Sequence, residues 1–113
     1  MVDVNDPDWL LLVQEDLLAV GYAVVQGFVP DGLLSRLPNA LYAAQRGITA
    51  LVGEDRLGRA GERGVLRLLP QFDPVFTDLL ALPKLLALVD TLLSPTAILH
   101  LQNGFVLPPG AAD

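Results

Sequence analysis

One histidine, His100, and no cysteine limit the chemistry that these 113 residues can carry. Two imidazoles cannot converge on one metal, thiolate zinc sites and thiol nucleophiles are excluded, and any Ser-His-Asp arrangement would have to run through His100. Arg56, Arg59, Arg63 and Arg67 crowd a glycine-rich stretch and could grip an anionic substrate through charge-assisted hydrogen bonds. That stretch has neither a GxxxxGK[ST] nor a GxGxxG pattern, and Glu54, Asp55 and Glu62 offset its charge, so a solvated loop is the favoured reading over an anion clamp. Glu54 and Asp55 do not make an acid and base pair, because adjacent residues on a loop have no fixed geometry or burial to separate their pKa values. The remaining polar groups of interest are Gln102 and Asn103, two amides beside Gly104 in an otherwise apolar run. They either line a pocket or satisfy the backbone of a strand edge.

The elements that must position these groups follow from periodicity and punctuation. Asp6-Pro7 reads as an N-cap with proline at the first helical position, and Leu10, Val13, Leu17 and Val20 then recur at helical spacing up to Gly21. Residues 22–29, Tyr-Ala-Val-Val-Gln-Gly-Phe-Val, are rich in β-branched and aromatic types and read as a strand closed by Pro30-Asp31-Gly32. Trp9 and Tyr22 are expected to anchor the first helix to that strand. Leu33, Leu37, Leu41, Ala44, Ile48 and Leu51 carry a helix over 33–52 that Pro38 either kinks or divides in two. Residues 53–64, with four glycines and no apolar period, read as a mobile charged loop, and Val65 to Leu69 as a short strand. Asp73-Pro74 repeats the cap-plus-proline start of a helix through Leu80, and Pro83 opens another through Leu93. Thr96 to Leu107 reads as one extended strand interrupted at Gly104, with His100 and Gln102 on one face and Asn103 on the other. His100 then either faces a cavity or is hydrogen-bonded near the surface.

Composition narrows the partners. The formal charge of -6 and pI near 4.4 argue against nucleic acid, whose affinity rests on neutralised phosphates, and against a polybasic membrane contact. The acidic start Asp3, Asp6, Asp8 is unlike a secretory leader, and the charge-free stretch 91–112 holds three prolines, two glycines and several polar groups that hydrocarbon would not tolerate. A cytoplasmic protein is expected, with 1–113 as one domain. An apolar strand of such length needs sheet neighbours on both sides, and only two short candidates are in view. The expectation is therefore an incomplete domain, the front portion of a larger β-containing fold open to self-association through the exposed strand edge; the alternative is a small complete α+β domain whose edge is covered by a helix or a dimer partner.

The order of these elements resembles a known family. Residues 18–30, LAVGYAVVQGFVP, are similar to the helix, Gly-Tyr strand and Gly-Phe-Val opening of the phytanoyl-CoA dioxygenase family. Asp73-Pro74-Val75-Phe76 with Leu79-Leu80, then Pro83-Lys84-Leu85-Leu86 with Val89 and Leu92-Leu93-Ser94-Pro95, resemble the helical segment ahead of that family's core sheet. His100 to Gly110 resembles the strand and Pro-Pro-Gly turn leading to its iron site.

The resemblance implies an α+β chain that supplies the N-terminal helical and strand segment of a double-stranded β-helix, or jelly-roll, oxygenase using Fe(II) and 2-oxoglutarate. Iron in such enzymes is held by two histidines and a carboxylate, the first two ligands in a His-x-Asp motif downstream of the turn. No His-x-Asp occurs in this sequence. Alone, the chain is expected to hold no metal and no catalytic residue, with Gln102 and Asn103 as cosubstrate pocket candidates and a small-molecule substrate bound only by the full-length parent. Leu107 stands where the family often has a basic residue before the turn. The competing reading is a small, acidic, non-enzymatic α+β interaction module that binds a partner or dimerises through its last strand.

Overall fold

The computed structural model describes residues 1–110. Its N-terminal part is a minimal strand-helix-strand unit. Strand β1 (Val2–Asp3) pairs in parallel with β2 (Val25–Gln26), Val2 opposite Val25, and helix α1 (Trp9–Val20) makes the crossover. Val2, Val4 and Val13 are buried together here, and Trp9 meets Phe28 edge to face with ring centroids 6.0 Å apart. Phe28, not Tyr22, is thus the partner of Trp9, and Tyr22 is 66% exposed. Asp6 does not cap the helix by its side chain. Its carboxylate accepts the Asp8 N–H at 2.8 Å in a turn that delays the first helical residue to Trp9. The helix stops as expected at Gly21, whose φ of 85° only glycine adopts freely.

The larger part is built on α2 (Asp31–Val52), which Pro38 neither divides nor ends. Proline withholds an N–H from the Leu34 carbonyl, but Leu34 and Pro38 both lie exposed, where water can take that carbonyl. The opposite face presents Leu33, Leu37, Ala40, Leu41, Ala44 and Ile48 to the core formed with Leu66, Leu69, Val75 and Phe76. Next come α3 (Glu54–Ala60), β3 (Val65–Leu66), a 3₁₀ turn (Leu69–Gln71), α4 (Pro74–Leu80), α5 (Pro83–Leu92) and β4 (Gly104–Phe105). Asp73 caps α4 as its spacing predicts, accepting the Val75 N–H at 2.8 Å. Lys84 on α5 donates to the Val4 carbonyl at 2.9 Å and ties the two parts together.

Three expectations need correction. Residues 54–60 form helix α3, not a loop, because the single apolar side chain, Leu57, is buried against α2 and Gly61 closes the turn at φ 68°. The strands expected over 22–29 and 96–107 shrink to two residues each, β2 and β4. The fold itself is not the α+β, jelly-roll segment expected: five α-helices dominate, with two separate two-stranded ribbons and no barrel among the described residues. The physical reason is ladder pairing. β4 has one neighbour, β3, of two residues in antiparallel register (Val65 opposite Phe105, Leu66 opposite Gly104), and backbone beyond that reach has no sheet to join. No helix among the described residues is long and apolar enough to cross a membrane.

The packing is correspondingly open. The accessible surface is 8050 Å², about a third above the roughly 6,000 Å² of a compact monomer of this mass. The radius of gyration is 16.7 Å, against about 13 Å for a compact domain of this length.

Candidate functional site

Two regions hold the groups that could do chemistry. The first is the segment 96–107, which leaves α5 through a Ser94-Pro95-Thr96 turn held by a 2.8 Å hydroxyl to hydroxyl bond. His100 lies here on irregular, exposed backbone, not on a strand, so the alternation expected to pair its facing with Gln102 does not apply. Ile98 is 90% exposed and Leu107 71%, and Leu99, Leu101 and Phe105 also face solvent. Gln102 and Asn103 are half-buried. The Gln102 amide donates from Nε2 to the Phe76 carbonyl on α4 at 3.3 Å, while its Oε1 is buried with no hydrogen-bond partner among the described residues. An amide fixed by its donor end and orphaned at its acceptor end is costly in isolation and ready to accept an N–H or O–H from a neighbour.

The segment packs on the core at its end. Gly104 lies so close to Leu41 and Leu69 that a Cβ there would stand 3.0 Å from the Leu41 side chain. Val106 packs on the core and donates its N–H to the Gly64 carbonyl at 2.8 Å. Gly64 has φ 78°, and a Cβ would collide with the Val106 carbonyl, so glycine is the only residue that lets β3 and β4 meet in this way.

The second region is the arginine stretch, now ordered by α3. Its four guanidinium groups do not converge as a clamp. Arg56 and Arg67 border one cavity, and Arg59 and Arg63 border another with Asp55. Arg67 is engaged bidentately by Glu62, Nη2 to Oε1 at 2.8 Å and Nε to Oε2 at 3.2 Å. The hydrogen bond from Arg67 holds the Glu62 carboxyl below its ordinary range, and the same bond raises the Arg67 guanidinium further. Arg63 lies over Gly58, where a Cβ would meet its guanidinium, and reaches Glu54 at 3.7 Å. Glu54 is therefore an ion-pair partner of Arg63, while Asp55 lies on the other cavity with Arg59.

The cavity beside Arg56 went unread in the sequence. It occupies about 360 Å³ between the last turn of α2, α3 and the 3₁₀ turn. The one available signal was Leu57, an isolated apolar residue among charges and glycines. For iron the donor set does not fit: among the described residues no three of His, Asp and Glu gather closely enough to hold a metal. No step through a metal can be derived from this chain's own side chains.

No family model matches the chain, and no solved structure matches it. Uncharacterized proteins of Mycobacterium bovis and Mycobacterium tuberculosis are each 49% identical to it over 107 residues, which cover 95% of this chain. The chain spans 39% of the length of each of these curated relatives.

Proposed function

We propose that this chain is the helical N-terminal scaffold of a longer cytoplasmic oxygenase related to the phytanoyl-CoA dioxygenase family, which hydroxylates a small organic molecule with Fe(II) and 2-oxoglutarate. The observation that carries the reading is the surplus of exposed apolar surface, densest along 96–107, in a chain that corresponds to well under half of its relatives. Surface of that kind is stable in water when another layer of protein covers it. The family resemblance at 18–30, 73–95 and 100–110 names the layer: the catalytic part, whose residues would supply all three iron ligands. The task of this chain is then positional. The α2 and α4 core holds Gly104 and Val106, and those two fix the start of the Pro-Pro-Gly turn. Gln102 and Asn103 are the groups it would offer to the cosubstrate pocket, and the unpartnered Gln102 Oε1 favours Gln102 for a polar contact.

The test is succinate release from 2-oxoglutarate on addition of Fe(II). The polypeptide translated from the natural reading frame should turn over, and residues 1–113 alone should not. If the former is inert to iron and the latter is monodisperse with a sharp thermal transition, the acidic interaction module is the correct reading instead.

A further inference from the structure

We infer that the cavity between the C-terminal turn of α2, helix α3 and the 3₁₀ turn is a binding site for a small apolar monocarboxylate, a ligand of roughly ten non-hydrogen atoms. Its volume of about 360 Å³ lies at the lower end of the range for small-molecule sites. Ile48, Leu57 and Phe72 give an apolar lining that suits a hydrocarbon tail. Charge decides the head group. Arg67 on the rim is saturated by the two oxygens of Glu62, whereas Arg56 forms no ion pair among the described residues. The site thus carries one uncommitted positive charge in a chain whose formal charge is -6.

One free guanidinium matches a monoanion, and a bidentate carboxylate fits its fork. A phosphate dianion would leave its second charge without a cation of its own, since Arg67, the other guanidinium on the rim, is already taken up by Glu62. The net negative field of the chain repels small anions at long range, so affinity must come from apolar burial together with the local pair, which selects an amphiphile over a free ion. Backbone geometry marks the same place. Leu68 lines the cavity, stays 62% exposed and holds φ 58°, the one non-glycine residue among those described in the left-handed region. Such strain costs energy and clusters at ligand sites. The negative C-terminal end of α2 and the positive N-terminal end of α3 meet at Gly53 and offset each other, which leaves the side-chain charge dominant.

The experiment is calorimetric titration of the full-length polypeptide with octanoate, octan-1-ol and octylammonium, each below its critical micelle concentration. Octanoate should saturate one site and bind about tenfold or more tighter than the alcohol, with no saturable uptake of the ammonium. Arg56→Gln should bring octanoate to within about twofold of octanol, since only the charged contact is lost. Ala60→Trp, an exposed position on the cavity wall, should abolish binding of both with the far-UV circular dichroism unchanged. Uptake of many equivalents without saturation would overturn the assignment, as would octanol binding as tightly as octanoate or an Arg56→Gln affinity equal to that of the unaltered protein. The Arg56→Gln arm decides alone if Ala60→Trp disturbs the fold. The oxygenase reading stands or falls separately on succinate release.

Discussion

The stretch 33–76 and the stretch 93–107 are both rich in leucine and other apolar residues, yet the first is a core and the second is a surface. In the first, α2 lays Leu37, Ala40, Ala44 and Ile48 along one stripe, and Leu66, Leu69, Val75 and Phe76 return to fill it. In the second, Leu93, Ile98, Leu99, Leu101, Phe105 and Leu107 stay exposed, while Gly104 and Val106 pack on the core and Gln102 reaches it through the Phe76 carbonyl. A helix satisfies its backbone internally and has only to find cover for one stripe, which later helices can give. An extended segment must find partners for its backbone and for both faces, and a two-residue ribbon supplies neither. Apolar content therefore sets how much surface must be covered, and topology sets whether this chain can cover it.

Substitutions can break that comparison. The largest expected effect is Phe76→Ala. Phe76 is 2% exposed at the centre of the core, and its truncation should cost about 3–5 kcal/mol, read as a fall in the denaturant midpoint. Ile98→Ser should change stability by less than about 0.5 kcal/mol, because Ile98 already faces water, and should raise solubility. Equal losses at the two positions would show that segment 93–107 is packed after all.

A smaller effect separates two aspartates that both precede helices. Asp73→Ala removes the carboxylate that accepts the Val75 N–H and should cost about 1 kcal/mol of stability. Asp8→Ala, at the start of α1, should cost only a few tenths, since Asp8 makes no side-chain cap bond. A thermal shift for Asp8→Ala as large as that for Asp73→Ala would contradict the geometry of the first turn.

The smallest effect is the dependence on pH at the arginine stretch. Glu62 is held below its ordinary carboxyl range by Arg67 in the folded chain, so its contribution to stability is present above the unfolded value of 4.5 and is lost as pH falls through the folded value. The pair is solvent-exposed, and screening makes the gain slight. Glu62→Gln should flatten the acid limb of the stability profile a little and leave the neutral plateau nearly unchanged. A large drop at neutral pH would mean that the Glu62 and Arg67 pair holds α3 in place.

What could be read in the sequence divides along the same physical line. The helices over 31–52, 74–80 and 83–92 were legible because their signals are local: apolar spacing, proline at the first turn, and Asp73 before Pro74. Helix α3 was not, because Gly58 and a single leucine give no period, and its stability comes from burial of Leu57 against α2. β1 was missed because two residues carry no alternation to detect. The long strands at 22–29 and 96–107 were overread, since β-branched and apolar composition reports what a segment prefers and not whether a neighbour exists. Of the candidate site, the sequence offered Gln102 and Asn103 but neither the bond from Gln102 to the Phe76 carbonyl nor the orphaned Oε1 beside it.

The sequence alone therefore determined the inventory. One histidine and no cysteine limit the metal and nucleophile chemistry of these residues, an acidic charge disfavours polyanionic partners, and helix starts and stops are written within a few residues of where they act. Only the tertiary structure decided which apolar runs become interior, that Glu62 engages Arg67 while Arg56 forms no ion pair among the described residues, and that a cavity opens between α2 and α3. Helix signals act over one or two turns of chain, whereas burial, strand pairing and charge pairing depend on residues that come from elsewhere in the sequence and meet only in the folded chain.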